Sequence, residues 1–221
     1  MATKTKSRII LVGGEKGGTG KTTLATNLAA SRALAGHDVL IVDTDPQGSA
    51  SGWCLMRDET NIHPRVASIQ KFGKGLGAEL LDLAKRYQDI IVDAGGRDSV
   101  ELRAAMTCAD MIVSPVQASS FDLWTLKSLD NLVSQAQAMN PRLKALVVMS
   151  RASTNPSVTD TQDASELVAD QQSLKLSKAI ICDRTAYRRA AGAGLGVVEY
   201  TPTNSHAIQE VNGLYQEVYA K

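Results

Sequence analysis

The stretch Gly13-Gly14-Glu15-Lys16-Gly17-Gly18-Thr19-Gly20-Lys21-Thr22-Thr23 constrains this chain more than any other. It lies between a short β-branched apolar run, residues 9–12, and an Ala-rich helical stretch, residues 22–35, that closes on Gly36, where a helix commonly ends in the left-handed region. A strand, a glycine-rich turn and a helix in that order allow backbone N–H groups to turn inward around an anion, with the positive end of the helix behind them. Gly17, Gly18, Thr19 and Gly20 supply the turn. Lys21 can reach β- and γ-phosphates, the Thr22 hydroxyl can ligate Mg²⁺, and Thr23 completes the cradle.

The rest of the chain repeats the strand-and-helix alternation. Apolar runs at residues 39–42, 90–92, 111–113, 145–149 and 179–181 suit strands buried on both faces. Helical stretches are expected at 76–87, 120–139, 160–170 and 205–219, and loose segments at 61–77 and 151–159. The expected fold is a single α/β domain over all 221 residues, a doubly wound, mostly parallel sheet with helices on both faces.

The loop departs from the ordinary Walker A pattern: Glu15 stands where the first glycine belongs, and Lys16 adds a second lysine. Lys16 to Thr22 read K-G-G-x-G-K-T and resemble the deviant Walker A motif of the ParA/MinD family, which includes the partition ATPases, MinD, the nitrogenase iron protein and ArsA. The resemblance implies a P-loop ATPase working with ATP and Mg²⁺, as a homodimer that sandwiches the nucleotide. In that family the first lysine reaches across the dimer to the partner's phosphates, a role that falls here on Lys16. There it would neutralise charge on the transferred phosphoryl group.

Such a site needs carboxylates. Asp43-Thr44-Asp45-Pro46-Gln47-Gly48 follows the second apolar run, and two acids at i, i+2 on an extended chain face one side. The resemblance assigns Asp43 to the magnesium shell and Asp45 to the attacking water. Asp93 ends the run Asp89-Ile90-Ile91-Val92 as a Walker B aspartate does, with a water-mediated hold on Mg²⁺. The glycines of Ala94-Gly95-Gly96-Arg97 give a switch-like loop, similar to the small ParF-like subset of the family. Arg151 and Arg184 are candidates to line the nucleotide pocket. Arg188 and Arg189 are candidates for a phosphate-binding surface.

Composition excludes several rival classes. Lys plus Arg number 24 against 23 for Asp plus Glu, so any DNA contact must come from a local patch. Cys54, Cys108 and Cys182 form no C-x-x-C pair, and neither a disulfide framework, a zinc site nor an iron–sulfur cluster is expected. The polar start and short first apolar run predict no signal peptide and no membrane span, and a first strand near residue 8 leaves no room for a helix-turn-helix extension. A MinD-like membrane anchor would need a basic amphipathic last helix. The stripe Ile208, Val211, Leu214, Tyr215 and Val218 with Glu210 and Glu217 reads instead as a helix packed on its own sheet. With those classes set aside, the resemblance to the partition ATPases implies a cytoplasmic, nucleoid-associated protein that binds non-specific DNA, with hydrolysis stimulated by a ParB-like adaptor. Its cargo would be a plasmid, a chromosome or a protein assembly.

Overall fold

A computed structural model of the chain describes residues 7–96, 98–117, 123–154 and 158–219. The expected helix start at Ser120 and loop position Arg97 lie outside the described residues. Strand and helix alternate as β1 (Arg8–Val12), α1 (Lys21–Leu34), β2 (Val39–Asp43), α2 (Ser49–Glu59), β3 (Ala67–Gln70), α3 (Leu76–Leu83), β4 (Asp89–Asp93), α4 (Val100–Met106), β5 (Met111–Gln117), α5 (Leu123–Met139), β6 (Lys144–Ala152), α6 (Val158–Ala169), β7 (Leu174–Leu176), β8 (Ile181–Cys182), α7 (Thr185–Gly192) and α8 (Ser205–Tyr219). The sheet runs β3-β2-β4-β1-β5-β6-β7, with β8 also on β6, and every described pairing is parallel.

Alternation within the apolar runs explains why they are continuous. Ile10, Val12, Ile41 and Ile91 face one layer, filled by Leu24 and Leu28 of α1, Trp53 of α2, Tyr187 of α7 and Val211 and Leu214 of α8. Ile9, Leu11, Leu40, Val42, Ile90 and Val92 face the other, filled by Leu76, Leu80, Leu102, Met106, Leu129 and Val133. Successive side chains point to opposite faces, both faces are covered, and no position is left polar. Burial of such a side chain contributes about 1.5–3 kcal/mol, which makes these strands the stable frame of the fold.

Several elements differ from the sequence-based expectation. The segment 61–77 contains the edge strand β3, and α2 occupies a stretch where no helix was expected. The run at 179–181 is a two-residue strand, Ile181–Cys182, and the extra strand β7 precedes it. The helix at 76–87 stops at Leu83 and ends in turns closed by Arg86 N–H and Tyr87 N–H on the Leu83 carbonyl. Helix α2 is anchored by a charge: Arg57, 0% exposed, donates to both Glu199 oxygens at 2.7 and 2.9 Å, to the Gly194 carbonyl and to the Pro64 carbonyl.

Helix α8 packs as its apolar stripe predicts. Its two carboxylates also turn to the protein, Glu210 to Cys182 N–H, Arg184 and Tyr187, and Glu217 to Ser177, Lys178 N–H and Ala179 N–H. Among the described residues no helix is long and apolar enough to cross a membrane.

A candidate nucleotide site at the switch point of the sheet

Strand β1 lies at the centre of the sheet: the connection that leaves it runs through α1 to β2 on one side, and the connection from β4 crosses through α4 to β5 on the other. In open α/β sheets the crevice outside the carboxyl ends of the strands at such a reversal is where ligands bind. The glycine-rich loop leaves β1 at that point. Gly20, at φ 95°, is the N-cap of α1, a left-handed conformation that glycine adopts without a steric penalty. It turns the chain so that the helix starts at Lys21 with its N–H groups facing the crevice.

A cavity of about 320 Å³ opens there, and it brings together most of the residues singled out in the sequence. Gly17, Gly18, Gly20, Lys21, Thr22 and Thr23 form its floor, Asp45 one wall, and Arg151 and Arg184 another. Thr19 is buried behind the loop. Lys21 is only 7% exposed and donates to the Lys16 carbonyl at 2.7 Å, so its ammonium spans the loop's own turn. Burial lowers its pKa, against the pull of Asp93 and Asp45. Lys16 is exposed and lies toward a second, small hollow that also contains Glu15 and Gln117.

The two deep carboxylates play different parts. Asp43 and Asp93 are register partners on neighbouring strands, and both are buried. Asp93 accepts a 2.7 Å hydrogen bond from the Thr22 hydroxyl through Oδ2, while its buried Oδ1 has no partner. Asp43 accepts from Asp45 N–H at 3.1 Å and from Ser51 N–H at 2.8 Å. It therefore ties the Asp45 turn and the first turn of α2 to the end of β2. The strand stops at Asp43, so the extended i, i+2 geometry does not reach Asp45. That residue sits in a turn, accepting from Gln47 N–H at 3.0 Å, and it alone of the pair lines the cavity.

The donor set fits a magnesium nucleotide. Mg²⁺ is commonly held by one or two carboxylates with substrate phosphates and water rather than by an all-protein cage. Thr22 with the orphaned Asp93 Oδ1 behind it supplies such a partial oxygen set, and the described residues contain no cluster of His, Cys, Asp or Glu that would form a cage. The loop after β4 closes over it: a Cβ on Gly96 would lie 2.7 Å from Gly17 Cα and 3.2 Å from Lys21 Nζ. Only glycine permits that approach, which brings the expected switch loop against the phosphate loop.

Burial, opposed by the Thr22 hydrogen bond and reinforced by Asp43, pushes the Asp93 carboxyl from 3.8 up to about 7. A folded-state pKa above the unfolded value gives stability that is present at low pH and is lost as pH rises through the folded pKa. Asp93→Asn keeps the acceptor for Thr22 and removes the buried charge. The metal-free variant is expected to melt above the parent chain at pH 8, by up to about 4 kcal/mol, and to converge with it near pH 4, at the unfolded carboxyl value. Melting curves in EDTA across that range check this, and a pH-independent difference would contradict it.

Gln117 and Ser150 were not singled out in the sequence, yet both hydrogen-bond the phosphate loop. Their positions at the carboxyl ends of β5 and β6 are the signal that could have found them. Arg184, an expected pocket residue, lines the cavity while its Nε donates to Glu210 at 2.7 Å. Arg188 and Arg189 are exposed on α7, with Arg188 paired to Asp183 at 2.7 Å.

A parallel sheet with a phosphate loop at its reversal, a buried lysine in that loop and an aspartate behind the loop threonine define a P-loop ATPase that works with ATP and Mg²⁺. Residues 10–197 match the CobQ/CobB/MinD/ParA nucleotide binding domain, and the chain belongs to that family. It is 28% identical over 220 residues to maintenance of carboxysome distribution protein A of Halothiobacillus neapolitanus, covering 96% of this chain and 97% of that one. It is 26% identical over 247 residues to the chromosome-partitioning ATPase Soj of Thermus thermophilus, covering 99% and 98%. Among solved structures, the ATP complex of a Cyanothece McdA variant shares the fold at a TM-score of 0.74, with 16% identity and 96% of each chain covered.

Proposed function

We propose that this ATPase is a nucleotide-switched homodimer that grips DNA without sequence preference in its ATP state and so positions a large cargo. The observation that carries this reading is the division of labour between the two loop lysines. Lys21 is buried across its own loop, whereas Lys16 is exposed toward a separate hollow. An exposed cation outside its own nucleotide cavity supports a reach to a triphosphate held by a second copy. ATP then favours the pair because the pair adds phosphate contacts that the monomer lacks, and hydrolysis removes the difference.

In this scheme Lys21 holds the β- and γ-phosphates and Thr22 with Asp93 holds the metal, directly or through water. Magnesium would supply charge neutralisation on the phosphate oxygens. Asp45 orients the attacking water from the cavity wall, and Asp43 acts by fixing the Asp45 turn. The exposed Arg188 and Arg189 of α7 are the proposed contacts to DNA phosphates, and a ParB-like adaptor on the cargo is the proposed stimulator of hydrolysis. The full-length likeness to a carboxysome distribution protein favours a second reading of the cargo, a protein assembly rather than a plasmid or chromosome.

Gel shifts on DNA of arbitrary sequence test the switch. Retention is expected with ATP and not with ADP or without nucleotide, falling steeply with salt as counterion release requires. Asp45→Ala, which still binds ATP but turns it over slowly, should hold DNA longest. Equal retention in all three nucleotide states would refute the proposal.

A further inference from the structure

Three carbonyl oxygens of the phosphate loop are held by side chains. The Gly18 carbonyl accepts from Gln117 Nε2 at 3.1 Å and from Arg151 Nη1 at 2.8 Å. The Thr19 carbonyl accepts from Ser150 Oγ at 2.8 Å, and the Lys16 carbonyl from Lys21 Nζ at 2.7 Å. A trans peptide is planar, so fixing the direction of one carbonyl aims the next residue's N–H the opposite way. Holding Gly18 and Thr19 by their oxygens therefore sets the directions of the Thr19 and Gly20 N–H groups before any anion arrives.

Arg151 reaches the loop through a defect in the sheet. Ser150 pairs with Ile181 and Ala152 with Cys182, so Arg151 is the extra residue of a bulge. Its backbone lies at φ 51°, a left-handed conformation uncommon for a residue with a long side chain. Ser150 and Ala152 on either side are each 2% exposed, while Arg151 is turned outward to the Gly18 carbonyl. Bulges beside functional sites commonly re-aim one side chain in this way. Gln117 arrives from the end of the neighbouring strand β5, where it is the register partner of Ser150, in the hollow it shares with Lys16.

We infer that Gln117 and Arg151 are positioning residues, a clamp on the Gly18 carbonyl that presets the phosphate loop for its ligand. Preorganisation of this kind raises affinity by removing the ordering cost from the binding step. The rival role for Arg151, which also lines the cavity, is direct contact with the base.

Hydrogen exchange on the nucleotide-free chain and binding of ATP, GTP and inorganic triphosphate separate the two. In Arg151→Ala and in Gln117→Ala, amides at residues 17–20 are expected to exchange roughly three- to tenfold faster, the effect of one lost hydrogen bond. Exchange in β1 and the body of α1 should stay as in the parent chain, which verifies the fold. All three ligands should weaken by one common factor. Arg151→Lys, which keeps a donor, should recover part of the loss, and Gln117→Glu, which offers an acceptor to a carbonyl, should not recover the Gln117→Ala loss. Unchanged exchange at 17–20, or a loss confined to ATP with triphosphate unaffected, would overturn the clamp. The preset loop rests on the nucleotide reading of the cavity, but exchange is read without nucleotide. A chain that bound no ATP would sink that reading and leave the exchange result to judge the clamp.

Discussion

Lys21→Ala is expected to weaken binding of Mg·ATP and Mg·ADP by about 10³-fold, about 4 kcal/mol, while the chain stays folded. The Lys21 ammonium is buried within the loop and donates to its own Lys16 carbonyl, so it faces the cavity without a flexible search for its target. Burial lowers its pKa, which means the charged form is held there at a desolvation cost that phosphate oxygens would offset. Truncation removes the charge and leaves the Lys16 carbonyl without that donor. Titration with a fluorescent ADP checks the effect. Affinity within about threefold of the parent chain would show that the cavity is not organised around Lys21.

Lys16→Ala should behave differently at each step. Its side chain is exposed beside the second hollow and does not line the nucleotide cavity, so affinity of the monomer for ADP should change by less than about threefold. Turnover should fall by roughly 10³, the scale of a cation supplied in trans to a transferred phosphoryl group. Because each subunit would lend its lysine to the other, mixing Lys16→Ala with Lys21→Ala should restore part of the activity that neither has alone. The intact Lys16 of the second variant then serves the ATP held by the first. Stopped-assay phosphate release on the mixture reads this, and a mixture no faster than the sum of its parts would place Lys16 outside the reaction.

Much of the fold and the centre of the site were legible in the sequence for a simple reason. The central strands β1, β2 and β4 are buried on both faces, so they appear as unbroken apolar runs, and the latter two end on the acids Asp43 and Asp93. The glycine spacing of the loop is equally local. What was not legible depends on distant partners. Helix α2 leaves its apolar Leu55 and Met56 exposed and buries the charged Arg57 instead, whose partner Glu199 lies 142 residues away. Edge strand β3 is only half-buried and carries no apolar run. Asp45-Pro46 signals a turn, but which of the two acids then faces the cavity is set by the bonds from Asp45 N–H and Ser51 N–H to Asp43 and from Gln47 N–H to Asp45. The bulge at Arg151 arises from a register shift against β8, a strand of two residues that reaches β6 only through the tertiary fold.

The central claim is that ATP makes two copies of this chain pair through their phosphate loops. The direct measurement is the mass of the particle in solution by light scattering, with Mg²⁺ and either a non-hydrolysable ATP analogue or ADP. The account predicts twice the monomer mass with the analogue and the monomer mass with ADP, and the monomer mass under both conditions for Lys16→Ala. A monomer in the presence of saturating analogue, or a dimer of equal strength with ADP, would contradict it.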